Sequence, residues 1–241
     1  MNFIDRSTIC KLSQVGSVML AVSCCINAQS LESRLGQKAS FIPHSESGLE
    51  QLISVAQFYK IPMGIEWANQ TEPAISARPV RKGITVRGLI NTILKRHVGY
   101  EARTENGVLH VVNPQFGASP QNFLNLRISE FLVKDANVFD AEASLKLKID
   151  MTLHPERYAG GWNGGYGSPR INGFDIENIT FSGRNLSVRE ILNKIVVANG
   201  NAMWVVRFNP SNLILNERFF AQDEGGQSAG FHWRLIPLRP T

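Results

Sequence analysis

Apolar residues recur at helical spacing in two stretches of the chain that closely resemble each other. The first stretch runs from Thr85 to Leu94 (TVRGLINTIL) and the second from Ser187 to Val196 (SVREILNKIV), and the ten positions align without a gap. Each stretch begins with a residue that caps helices well, and its apolar positions lie on one face of a helix. The pattern therefore predicts two equivalent amphipathic helices.

Two predicted strands follow each copy of this repeat. An aromatic residue opens the first strand, Tyr100 in one copy and Trp204 in the other, and a short apolar run supplies the second strand at 108–112 or 213–215. In the first copy, Asn106–Gly107 separates the strands and is a strong signal for a type I′ hairpin turn. The recurrence of helix, strand, turn and strand predicts a duplicated α+β module.

The same patterns predict the remaining elements. Helical spacing of apolar residues predicts helices at 49–59 and 139–149, and β-branched and aromatic content predicts strands at 63–67, 123–133 and 174–182. We therefore expect an α+β fold of two related modules, each with two helices packed on a small, mostly antiparallel sheet.

The predicted organisation has five parts. They are a signal peptide at 1–28, a flexible lead-in at 29–46, a first module at 47–114, a second module at 123–216 and a tail at 217–241. The tail has the alternation of a strand, and Pro237 would confine that strand to the edge of a sheet because proline lacks a backbone donor.

The first 28 residues have the order of a secretory signal peptide, with a weakly basic start, an apolar stretch at 15–22 and small residues up to Ala28. The apolar stretch is too short to span a bilayer, so we expect no transmembrane span in the mature chain. All three cysteines lie in this leader, which predicts an exported, periplasmic domain without disulfides. There are two alternatives: a lipoprotein signal that anchors the chain through Cys24, and an ordinary N-terminal helix.

Charge does not favour nucleic acid as a partner. The formal net charge is +5, and it falls to +4 without the leader, which holds Arg6, Lys11 and Asp5. The basic residues are scattered, whereas nucleic-acid binding needs a positive stripe that releases counterions. A solvated basic surface is the favoured interpretation.

A glycine-rich segment at 158–169 has five glycines and three aromatic residues in twelve positions. Glycine loses more backbone entropy on ordering than any other residue, so the segment predicts a loop. Tyr158, Trp162 and Tyr166 could stack on a sugar ring or insert into a partner. The alternative, which we favour, is a flexible insertion without a binding role.

The sequence predicts no catalytic residue, no metal site and no cofactor. None of the histidines has the spacing of a metal-ligand pair: His44, His97, His110, His154 and His232. A Gly-x-Ser-x-Gly elbow and the Lys-Ser/Thr ending of a phosphate loop are also missing. Glu66 and Glu101 lie on predicted strands and could form a glycosidase pair, but we favour exposed positions on a half-buried sheet.

Arg87 and Arg189 occupy the same position in the two copies of the repeat, two residues after the predicted N-cap. A basic group near a helix start interacts unfavourably with the helix dipole. Its recurrence therefore indicates a contact with a carboxylate or with a partner protein. Inheritance through duplication, with an ordinary surface role, is the alternative.

The segment from Ile84 to Leu94, followed by Tyr100 and the Asn-Gly hairpin into 108–112, resembles the short N-terminal domain shared by secretins and TonB-dependent receptors. The similarity covers about residues 48–113 and, more loosely, 124–216. In that family a two-helix domain with a small sheet lies in the periplasm and contacts other proteins. The resemblance implies a non-catalytic envelope module that binds a protein partner. The alternatives are glycan or cell-wall binding through the glycine-rich loop and, third, a small periplasmic hydrolase.

Overall fold

The computed structural model describes residues 31–45, 47–68, 83–120, 122–159, 178–208 and 231–238. These residues form helices, a five-stranded mixed sheet and a two-stranded sheet, which confirms the predicted α+β class. No helix among them has both the length and the apolar character needed to cross a membrane. The predicted leader at 1–28 lies outside the described residues.

The helices begin at polar caps that the sequence indicates. Within the described residues they are α1 (31–36), α2 (Gly48–Tyr59), α3 (Val86–Leu94), α4 (Pro114–Gly117), α5 (Val138–Leu153) and α6 (Val188–Asn199), with 3-10 turns at Phe123–Asn125 and Pro155–Tyr158. The side chains of Ser47, Thr85 and Ser187 accept backbone N–H groups at the starts of α2, α3 and α6. Glu190 also accepts the Ser187 N–H, which completes a capping box on α6.

Strands from both predicted modules form one central sheet. The strands are β1 (Met63–Ala68), β2 (Glu101–Glu105), β3 (Val108–Val112), β4 (Arg127–Ala136), β5 (Ile179–Ser187), β6 (Ala202–Phe208) and β7 (Phe231–Pro237). The central order is β2-β3-β1-β6-β7, and β1 is parallel to both of its neighbours. The outer pairs, β2 with β3 and β6 with β7, are antiparallel, and β4 pairs with β5 in a separate antiparallel ribbon.

Two hydrophobic cores lie on opposite faces of the central sheet. One face presents Ile65 and Val205 to a core that includes α2, α3 and the leucines of α1. The other presents Trp204 and Val206 to a core that includes α5, α6 and the β4–β5 ribbon. Alternate residues of each central strand therefore enter different cores.

The arrangement of the sheet differs from the expected one, in which each module has its own mostly antiparallel sheet. β1 and β6 belong to different predicted modules, yet they pair directly. Because β6 also pairs with β7, both of its edges are occupied. The run at 213–215, predicted to pair with β6, lies outside the described residues.

The prediction of a flexible lead-in at 29–46 was wrong for the part that the structure describes. Residues 31–36 are helical, and Leu31 and Leu35 are almost fully buried in the first core. Farther on, Lys38 pairs with Thr85 in an antiparallel bridge. Two leucines four positions apart are too short a pattern to reveal helical periodicity in the sequence.

Candidate functional site

Both repeated arginines bind a carboxylate of the same chain. The guanidinium of Arg87 donates to both carboxylate oxygens of Glu32, at 2.7 and 2.6 Å, and the two side chains are 38% and 55% exposed. Arg189 binds Glu66 through two nitrogens, Nε to one carboxylate oxygen and a terminal nitrogen to the other, and there the exposures are 13% and 1%. The carboxylate contact predicted from the repeat is therefore present twice, once in solvent and once in the protein interior.

Arg189 lies at the centre of a buried polar cluster between α6 and the central sheet. Its Nε lies 2.6 Å from Glu66 Oε1 and its second terminal nitrogen 3.1 Å from Oε2. The remaining terminal nitrogen donates to Asn125 Oδ1 at 2.6 Å. Asn122 Nδ2 donates to Glu66 Oε2 at 3.0 Å, so both partners of the ion pair have additional hydrogen bonds.

A second buried group lies one helical turn along α6. Asn193 Nδ2 and His110 Nε2 lie 2.8 Å apart, and the Trp204 indole N–H donates to Asn193 Oδ1 at 2.9 Å. Burial lowers the pKa of His110 to about 4, although the nearby Glu66 carboxylate acts in the opposite direction. The imidazole is therefore neutral at pH 7, and among the described residues its Nδ1 has no hydrogen-bond partner.

The predicted exposure of Glu66 was wrong, whereas Glu101 is exposed on β2. Glu66 lies on the sheet face that α6 covers, and its carboxylate oxygens bind Arg189 and Asn122. A carboxylate engaged in this way is not placed as one member of a glycosidase pair.

Sequence analysis missed Asn193, the residue that joins His110 to Trp204. The signal was present, because the repeat places Asn91 and Asn193 at the same position, four residues after each arginine. Asn91 is exposed on α3, whereas Asn193 is 3% exposed. The polar face of α3 thus faces solvent, and the equivalent face of α6 lies against the sheet.

The structure describes only residues 158 and 159 of the glycine-rich segment at 158–169. Tyr158 ends the 3-10 turn Pro155–Tyr158, and its hydroxyl donates to the buried carboxylate of Asp150. Trp162 and Tyr166 lie outside the described residues. Tyr158 therefore contacts the end of α5, while the stacking considered for the other two aromatic rings remains a hypothesis.

No metal centre is formed by the described part of the chain, where no three His, Cys, Asp or Glu side chains come close enough to hold an ion. His97 follows the end of α3 and packs edge-on against Trp67, with ring centroids 4.9 Å apart. His110 lies on β3.

A surface pocket of about 390 Å³ lies beside the buried polar groups. α6 contributes Glu190, Asn193, Lys194, Val197 and Ala198 to its lining, β5 contributes Phe181 and Leu186, and the β2–β3 turn contributes Asn106. The turn is type I′ as predicted, with φ of 50° at Asn106 and 80° at Gly107. A volume of this size accommodates a small molecule or one amino-acid side chain with its backbone.

The β4–β5 ribbon presents one face to solvent. Within the described residues it pairs with no third strand, so no further strand engages the outer backbone groups of β4 or β5. Leu132 is 64% exposed on this ribbon. It lies between charged positions, since Glu130 is paired across the ribbon with Arg184 and Lys134 is also exposed.

Comparison of the chain with models of protein families, with curated proteins and with solved structures found no match. The resemblance to the short secretin and TonB-receptor domain therefore stays a prediction from the sequence.

Proposed function

We propose that this protein is an exported, non-catalytic interaction module of the bacterial envelope that binds a partner protein through the β4–β5 ribbon. The main support for this proposal is that the ribbon, in the part of the chain that the structure describes, lacks a third strand and exposes an apolar side chain. Its two strands pair only with each other among the described residues, and Leu132 is exposed on it. A partner segment in extended conformation would add a strand to such an edge and cover the leucine.

The chemistry of the buried cluster supports a non-catalytic role. The Glu66 carboxylate is engaged by Arg189 and Asn122, and Asn193 is engaged by His110 and Trp204. General acid–base catalysis needs a titratable group within reach of a substrate, with a pKa near the working pH. Glu66 and His110 are at most 2% exposed, which favours a role in holding α6 on the sheet.

Export is proposed from the signal-peptide pattern at 1–28. Periplasmic location follows if the leader is cleaved after Ala28, and lipid anchoring follows if Cys24 is modified. The mass of the purified N-terminal peptide distinguishes cleavage from lipidation. An unprocessed N-terminus on the protein recovered from cells would overturn this part of the proposal.

The partner is tested by affinity capture with the full chain, expressed with its leader and recovered from the envelope fraction. Leu132→Asp is the test variant, and Val98→Asp is the matched control, because Val98 is a 93% exposed apolar residue in the turn after α3. We expect a protein that wild type and Val98→Asp retain and that Leu132→Asp loses by about tenfold, the loss that follows from removing a central apolar anchor.

Sedimentation with purified peptidoglycan runs in parallel. Wall binding that is abolished by Trp162→Ala, without a Leu132-dependent protein partner, would overturn the proposal and support the glycan alternative. Equal retention of every captured protein by all three forms would also overturn it.

A further inference from the structure

The pocket beside α6 continues the β4–β5 ribbon, because β5 belongs to both. Phe181 and Leu186 of β5 are half-buried and form an apolar side of the pocket together with Val197 of α6. A chain that adds to the β5 edge of the ribbon would therefore reach a cavity of about 390 Å³ with an apolar surface. This places a side-chain subsite next to the proposed strand-addition surface.

The two charged residues of the pocket differ in what they already bind. Glu190 accepts the Ser187 backbone N–H at 2.6 Å and lies 3.5 Å from Arg127, and the first of these contacts is the main reason why its pKa is lowered. Lys194 is exposed one turn later on α6, and no described residue forms an ion pair with it. The pocket thus offers one cation to an incoming anion.

Two asparagine residues, Asn193 and Asn106, also line the pocket. The side chain of Asn193 is held by His110 and Trp204. Its Nδ2 and its Oδ1 each retain the capacity for one further hydrogen bond. Asn106 lies in the type I′ turn, which sets its backbone conformation, and it also lines the pocket. An apolar surface, two side-chain amides and a single cation match the side chain, the backbone amide and the carboxylate of one amino-acid residue.

We propose that this pocket binds the C-terminal residue of the partner protein, an aliphatic residue whose side chain contacts Phe181, Leu186 and Val197 and whose terminal carboxylate binds Lys194. The proposal rests on the proposed function, and it specifies the chemistry of the partner. A terminal carboxylate with an adjacent aliphatic group is recognised by shape and charge together, as in other sites that capture chain termini.

The test uses N-acetyl-L-leucine as a probe of such a terminus, with backbone and side-chain amide NMR signals of the full chain as the readout. N-acetyl-L-leucinamide lacks the carboxylate and N-acetylglycine lacks the side chain. We expect saturable shifts of the Asn106 and Asn193 side-chain amides with N-acetyl-L-leucine, at a dissociation constant on the order of 1 mM for so small a ligand. N-acetyl-L-leucinamide should bind about fivefold more weakly because it loses a surface ion pair, and N-acetylglycine should bind about tenfold more weakly or worse because it has no aliphatic side chain to bury.

Lys194→Gln should weaken the binding of N-acetyl-L-leucine about fivefold and leave the binding of N-acetyl-L-leucinamide unchanged. Lys148→Gln is the matched control, because Lys148 is an exposed lysine on α5 outside the pocket. Absence of saturable shifts, equal binding of all three probes or an unchanged affinity in Lys194→Gln would overturn the proposal. A Leu132-dependent partner combined with such a result would leave the proposed function standing and remove only this subsite.

Discussion

Arg189 binds Glu66 through two parallel contacts in the protein interior, although 123 positions separate the residues in the chain. The pair links the start of α6 to β1 and, through Asn122 and Asn125, to the 3-10 turn that precedes β4. An ion pair that is almost fully removed from water is costly to separate, because each partner left alone is a buried charge. The pair therefore fixes the position of α6 on the central sheet.

Arg189→Met should lower the free energy of unfolding by about 3–5 kcal/mol, since it leaves the Glu66 carboxylate buried without its partner. Urea unfolding of the full chain measures the loss. The double variant Glu66→Gln/Arg189→Met should recover part of it, because no isolated charge then remains. A double variant less stable than Arg189→Met alone would contradict this account.

The repeat supplies a matched control for this pair. Arg87→Met removes the equivalent ion pair to Glu32, which is exposed, and should cost about 0–1 kcal/mol. Equal losses from Arg87→Met and Arg189→Met would mean that burial does not distinguish the two copies.

His110 should make the fold sensitive to mild acid. Its pKa is about 4 in the folded protein and 6.5 in an unperturbed histidine, so the unfolded chain binds a proton between these values while the folded chain does not. Neutral His110 therefore makes its full contribution to the free energy of unfolding above pH 6.5. This contribution is lost as the pH falls to 4. The loss reaches about 3 kcal/mol in the free energy of unfolding.

The measurement is the stability of wild type and His110→Gln from pH 7.5 to pH 4. Below pH 6.5 the free energy of unfolding of the variant should decline less steeply than that of wild type, with a difference of about 3 kcal/mol at pH 4. His44→Gln, which removes an exposed histidine, should keep the wild-type pH dependence. Parallel curves for wild type and His110→Gln would refute the assignment.

Asn193→Ala should destabilise the protein by about 1–3 kcal/mol for each buried group that it leaves unpaired, namely His110 Nε2 and the Trp204 indole N–H. Asn91→Ala is the control at the equivalent position of the first repeat. Asn91 is exposed, so this change should stay within about 0.5 kcal/mol. Thermal unfolding of both variants provides the comparison, and a similar effect of the two changes would argue against the buried network.

Gly64 is required by the close approach of Trp204. A Cβ at position 64 would overlap the indole ring, so Gly64→Ala should cost about 1–3 kcal/mol through overpacking. Gly36→Ala is the matched change, because a Cβ there meets no atom within 4 Å. Chemical denaturation should find this second variant at least as stable as wild type, and the prediction fails if Gly64→Ala is equally well tolerated.

Local signals predicted the elements of the fold well. Thr85 and Ser187 cap helices as predicted, and Asn106–Gly107 forms the type I′ turn. Each of these features depends on residues within a few positions of each other, so its physical cause is visible in a short window of sequence.

The burial of Glu66 and Arg189 depends on the pairing of strands that are far apart in the chain, and the sequence did not reveal this pairing. Arg87 and Arg189 occupy equivalent positions of the repeat, yet one lies in solvent and the other in the protein interior. The difference arises because β1 pairs with β6 and the sheet then covers the polar face of α6. Nothing within ten residues of Glu66 indicates this partner, which explains why its burial was predicted incorrectly.

Site-specific photo-cross-linking tests the central claim most directly. A benzophenone amino acid replaces Leu132 on the ribbon or Val98 in the turn after α3, and cells are irradiated before the envelope fraction is analysed. We expect a discrete protein adduct from position 132 and none from position 98. No adduct at 132, or the same adducts from both positions, would contradict a binding function of the ribbon.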